Sequence, residues 1–139
     1  MGYRIAPVAA PKAQKARPVK SKDYLAWLHS LPCVVSGRRP VEAAHVSYEA
    51  REYGALGRGK QQKSSDRWAL PLHPEEHRIQ HSMMEREYWR GCGIDPHQIA
   101  CILWGLYHER DALEATELAE DAIAALPRTG GLGRQYQEG

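Results

Sequence analysis

The chain of 139 residues contains no phenylalanine, so its aromatic content rests on four tryptophans and seven tyrosines. Every aromatic ring therefore carries an N–H or O–H that needs a partner when buried. No apolar run approaches the roughly 20 residues needed to span a bilayer. The first residues also lack the continuous apolar stretch of a secretory signal, so a cytoplasmic location with no membrane partner is expected. Only three cysteines occur, Cys33, Cys92 and Cys101, an odd and widely spaced set. That argues against a disulfide framework and leaves them as buried thiols or metal ligands. Acidic residues are missing from residues 1–22, which hold Arg4, Lys12, Lys15, Arg17, Lys20 and Lys22. The opposite bias appears in residues 109–121, where six acids face only Arg110. One end favours polyanions and the other repels them.

What is present suffices for one core: 42% of residues are hydrophobic and 26% charged, as in an ordinary single domain. Residues 1–20 mix Pro7, Pro11 and Pro18 with Ala and Lys and have too little apolar bulk to offset their ordering entropy. They read as a flexible basic arm, residues 127–139 as a flexible tail, and residues 21–126 as the folded domain. In SKDYLAWLHSL the apolar residues cluster at helical spacing until Pro32 stops them. In CVVSGRRPVEAAHV two short apolar runs, residues 33–35 and 41–46, flank turn residues and predict a β-hairpin. Residues 47–65 are polar and Gly-rich, a loop long enough to suggest function. DRWALPL then returns as a strand. Pro74 with Glu75 and Glu76 suits a helix first turn, and that helix is expected to run to about Trp89 with a break near Ser82. Asp95 and Pro96 open another helix, and an acidic one is expected over about residues 111–126. Tyr88, Trp89, Trp104 and Tyr107 stand at helical spacing and read as packing residues.

The chemistry concentrates in HPEEHRIQH, residues 73–81. Residues four apart on a helix differ by about 40° in direction and about 6 Å in height. His77 and His81 can thus meet one ion, although a solvated helical face explains an isolated pair as well. The pair does not stand alone, because EAAHV upstream supplies Glu42 and His45, and the basic loop supplies Asp66. The order is hairpin, loop, strand and histidine-bearing helix.

In that order the chain resembles the HNH, or ββα-metal, endonucleases, and within them the phage and prophage Ref-like recombination enhancement nucleases. The likeness is carried by YLAWLHSLPCVVSG, PVEAAHV, GRGKQQKSSDRWALPLHPEEHRIQH and EREYWRGCGIDPHQIACILW. It implies an α+β fold: a small ββα-metal core of hairpin plus metal-binding helix, with additional flanking α-helices. It also implies a divalent-metal-dependent DNA endonuclease of low sequence specificity that acts with a recombinase filament. His45 matches the general base that deprotonates the attacking water, a role an imidazole can fill near neutral pH. Asp66 stands where the family usually has an orienting Asn, and His77 and His81 match the helix ligands of the catalytic ion. That ion is expected to be Mg²⁺, with Mn²⁺ as the alternative.

Two positions depart from the family pattern. The residue before the base, usually a ligand, is Ala44, so Glu42 two residues earlier on the same strand face is expected as the third ligand. A structural zinc found in many HNH proteins would fall on Cys33, Ser36, His73 and Glu76. Only two of these are good zinc ligands, so that site is doubtful. Arg38 and Arg39 at the hairpin tip, with Arg58, Lys60 and Lys63 in the loop, are expected to hold DNA phosphates. The competing readings are a catalytically silent DNA-binding module on the same scaffold and a metal-stabilised protein-interaction adaptor using the acidic helix.

Overall fold

A computed structural model of the chain describes residues 20–57 and 64–127. Helix α1, Lys22–Leu28, starts at Ser21, whose hydroxyl accepts the Tyr24 N–H at 3.3 Å, a side-chain cap for one of the helix's orphan donors. The chain then passes through a turn and enters strand β1, Glu42–His45. After the loop a single 3₁₀ turn, Asp66–Trp68, leads into strand β2, Ala69–Leu72. The two strands pair antiparallel with Glu42 opposite Leu72 and His45 opposite Ala69. Helix α2, Pro74–His81, follows β2 directly. Helices α3, Glu85–Cys92, α4, Pro96–Glu109, and α5, Ala112–Ala124, complete the described chain. Among the described residues the protein is α+β, with a two-stranded antiparallel sheet and five α-helices.

The expected hairpin between residues 33–35 and 41–46 does not form. Residues 33–35 make a tight turn instead, with the Gly37 N–H on the Cys33 carbonyl at 2.9 Å and the Cys33 N–H on the Arg38 carbonyl at 3.0 Å. Gly37 has a φ of 74°, which lets the turn close without a Cβ penalty. The apolar run is satisfied by burial rather than by pairing, because Cys33 and Val34 are fully buried. It is linked to the sheet by the Val34 N–H on the Pro71 carbonyl at 3.1 Å. The partner of β1 lies across the long loop. β2 is buried at all four positions, so it shows as a continuous apolar run rather than an alternation.

The helices follow their caps closely. Asp95 accepts from the His97 and Gln98 N–H groups and Asp111 accepts from that of Glu114, placing α4 and α5 where the sequence predicts them. The expected break near Ser82 is present, separating α2 from α3. The core gathers Leu28, Leu31, Leu70, Leu72, Ile99, Leu103 and Ile123 from α1 and the turn after it, β2, α4 and α5. Tyr24 meets Trp104 edge-on with ring centroids 4.7 Å apart and Tyr107 at 5.2 Å, so α1 packs on α4 through aromatic edges. Tyr88 and Trp89 are buried and Trp104 and Tyr107 half-buried, as packing residues should be. No described helix is long and apolar enough to cross a membrane.

Candidate functional site

The strand register brings His45 and Asp66 together. His45 ends β1 opposite Ala69, the first residue of β2, and the 3₁₀ turn just before β2 carries Asp66 back beside it. Asp66 Oδ1 lies 2.8 Å from His45 Nε2, and Asp66 Oδ2 accepts the Ser21 backbone N–H at 2.7 Å. The carboxylate is buried, with 7% of its residue surface exposed. A neutral His45 then donates its Nε2–H to Asp66, which leaves Nδ1 as the ring's lone-pair nitrogen.

Helix α2 carries the second pair. The Nε2 atoms of His77 and His81 lie 3.0 Å apart, with ring centroids 4.6 Å apart. Two nitrogen bonds of about 2.1 Å at right angles to one ion would separate the nitrogens by about 3.0 Å. The pair therefore fits two neighbouring positions on one divalent ion, and imidazole nitrogen suits such ions chemically. Glu42 was expected as a third ligand, but its Oε1 lies 2.8 Å from His77 Nδ1, on the ring nitrogen remote from the one that faces His81. The opposition of Glu42 and Leu72 explains the contact, because Leu72 lies just ahead of α2 and the strand's first residue meets the helix there. A carboxylate at Nδ1 fixes the tautomer that presents the Nε2 lone pair. Glu42 is thus placed to orient the His77 ring. Among the described residues no group of three or more His, Cys, Asp and Glu is gathered to hold a metal. An ion on this pair would take its remaining ligands from water and substrate oxygens.

Both pairs line one cavity of about 590 Å³, together with Lys20, Ser47, Ser64, Gln80 and Glu85. Sequence reasoning did not single out these five as site residues. Glu85, at the first position of α3, accepts the Ser47 N–H at 3.0 Å and the Gln80 Nε2–H at 2.9 Å, and the Ser47 hydroxyl as well. One carboxylate therefore ties the end of β1 to α2. Its only sequence signal is an acid at the start of a helix after a break, which by itself predicts no more than a favourable dipole contact.

The expected phosphate contacts lie elsewhere or outside the described residues. Arg38 is paired with Glu75 at 3.1 Å and Arg39 with Glu120 at 2.6 Å, and neither lines the cavity. The turn that replaces the hairpin directs both arginines toward acids on α2 and α5. Arg58, Lys60 and Lys63 lie outside the described residues. The four positions that match a structural zinc site are engaged separately. Cys33 Sγ accepts the N–H groups of Val35 and Ser36 at 3.4 Å. The Ser36 hydroxyl accepts from Arg38, His73 Nδ1 caps α2 by accepting the Glu75 N–H, and Glu76 accepts the Tyr88 hydroxyl at 2.6 Å.

Residues 6–99 match the model of a family described as a protein of unknown function, DUF968. The match covers more than half of the chain, which belongs to that family. No curated protein and no solved structure gives a significant match.

Proposed function

We propose that this member of the DUF968 family is a divalent-metal-dependent endonuclease that hydrolyses DNA phosphodiesters with low sequence specificity on an HNH-like ββα core. The observation that carries the reading is the pairing of an oriented imidazole with a two-histidine ligand set in one cavity: His45 on Asp66, and His77 with His81. Each group has a task in phosphodiester hydrolysis. His45, fixed by Asp66 through Nε2, takes a proton from the attacking water at Nδ1. Glu42 holds His77 so that its Nε2 and that of His81 point to one place. A divalent ion, Mg²⁺ or Mn²⁺, bound there would supply positive charge against the scissile phosphate and the departing 3′ oxygen. The open cavity admits a phosphate oxygen beside the ligand pair, as a catalytic site with few protein ligands requires.

The test is cleavage of duplex and single-stranded DNA by the purified protein with Mg²⁺ or Mn²⁺. Wild type should cut at least one of them, EDTA should stop cleavage, and His45→Ala should abolish it. Intact DNA under both metals, or a His45→Ala protein as active as wild type, would sink the proposal.

A second reading is a catalytically silent DNA-binding module on the same scaffold. The absence of a three-ligand group among the described residues favours it. It predicts salt-sensitive DNA binding that persists unchanged in EDTA, with no nicking.

A further inference from the structure

We propose that Lys20 is a substrate-contacting residue of this cavity, its ammonium holding a non-bridging oxygen of the phosphodiester to be cut. The inference rests on the endonuclease reading above and adds the chain's own cation to it. Lys20 lines the cavity with His45, Asp66, His77 and His81, and among the described lining residues it is the only lysine or arginine. Its position is set by its neighbour. Ser21 caps α1 with its hydroxyl and gives its own N–H to Asp66 Oδ2 at 2.7 Å. The backbone just after Lys20 is therefore bonded to the carboxylate that orients the base.

The cavity carries charges of both signs along its lining. Two carboxylates line it, and both already have their donors: Asp66 has His45 and Ser21, and Glu85 has Ser47 and Gln80. Lys20 has no ion pair among the described residues. A phosphodiester entering between two carboxylates needs an opposing charge beyond a single ion, and a lysine provides it as a compact point charge with three donors. The sequence on the far side of Lys20 holds Arg4, Lys12, Lys15 and Arg17 with no acid. Those residues lie outside the described residues, and a nucleic acid strand as the ligand follows from the endonuclease reading.

The experiment compares wild type, Lys20→Met, Lys20→Arg and Lys22→Met. Cleavage is measured at saturating DNA with Mn²⁺, and binding by fluorescence anisotropy in EDTA across a salt series. Lys20→Met should lower the cleavage rate on the order of a hundredfold. It should also reduce the slope of log affinity against log salt by about 0.9 on duplex DNA, the share of one phosphate contact. Lys20→Arg should stay within about threefold of wild type, because it keeps a donor and a charge. Lys22→Met, on α1 and outside the cavity lining, should leave the saturated rate unchanged. All four should melt at the same temperature, since Lys20 is exposed. A Lys20→Met protein with the wild-type saturated rate, whatever its salt slope, overturns the assignment and leaves the metal reading standing. A wild-type protein that leaves DNA intact overturns both.

Discussion

Asp66 stands between His45 and the start of α1: one carboxylate oxygen lies 2.8 Å from His45 Nε2 and the other takes the Ser21 N–H at 2.7 Å. The two bonds fix the plane of the carboxylate, and the carboxylate fixes the imidazole. His45 is only half-buried, so the surrounding core does not hold its ring by packing alone.

Replacing Asp66 by Asn tests this directly. The amide can still accept the Ser21 N–H through its oxygen, but it then turns an NH₂ toward His45. That favours the tautomer with hydrogen on Nδ1 and removes the lone pair assigned to the attacking water. The single-turnover cleavage rate should fall by about a hundredfold or more, while the far-UV circular dichroism spectrum and the melting temperature stay near those of wild type. A variant with a wild-type rate would show that His45 needs no fixed tautomer.

Glu42 gives a second, graded prediction. As an orienting partner of His77 it should tune metal binding without being essential to it. Glu42→Gln should weaken Mn²⁺ binding about tenfold to hundredfold in calorimetry, whereas His81→Ala should abolish it. Complete loss of binding in Glu42→Gln would mean that the carboxylate is itself a ligand in the metal-loaded protein.

Glu85 accepts hydrogen bonds from both Ser47 and Gln80, and Gln80 has only 5% of its surface exposed. Glu85→Ala strips the acceptor from a buried amide and from the Ser47 N–H. The cost should be about 1–3 kcal/mol, read as a lower melting temperature by roughly 4 °C for each kcal/mol in a chain of this size. An unchanged melting temperature would show that water takes over both donors.

The sequence pattern revealed local events and missed distant pairings. Asp95 announced its helix because a cap is a contact within three residues. The histidine pair on α2 was legible for the same reason, since four residues fix a helical neighbour. The strand pairing was not: β1 finds β2 across more than 20 residues, and an apolar run of three residues looks the same in a turn as in a strand. The placement of Asp66 beside His45 came from the family resemblance, not from spacing. Glu42 shows the limit of face arguments. Alternation put it on the face of the buried Ala44, whereas the cavity is lined by Ala43 and His45, and the register with Leu72 brings it to His77 Nδ1. Lys20 was marked only as part of a basic stretch and Glu85 only as an acid opening a helix, because with Ser47 they meet only once the strands and helices are assembled.

The tyrosines predict how the fold fails in alkali. Burial pushes the Tyr24 and Tyr88 hydroxyls far above the usual tyrosine range, with Cys92 and the hydrogen bond to Glu76 adding to the shift at Tyr88. Tyr48 is raised to about 12, first by burial and then by Glu85 and Asp95. In the unfolded chain a tyrosine ionises near pH 10. Below that pH both states keep the proton and stability is fully present. Above it the unfolded chain loses protons that the folded protein retains, so stability falls as pH rises from about 10 through the folded values. Tyr24 and Tyr88, both fully buried, should each contribute a slope of about 1.4 kcal/mol per pH unit in that window. Tyr88→Phe should start less stable at pH 8, because the buried Glu76 loses a donor at 2.6 Å, yet lose stability less steeply above pH 10. Urea denaturation at intervals from pH 8 to 11.5, with tyrosinate absorbance followed near 295 nm, checks both parts. Ionisation of all seven tyrosines while the circular dichroism still reports the folded state would refute the account.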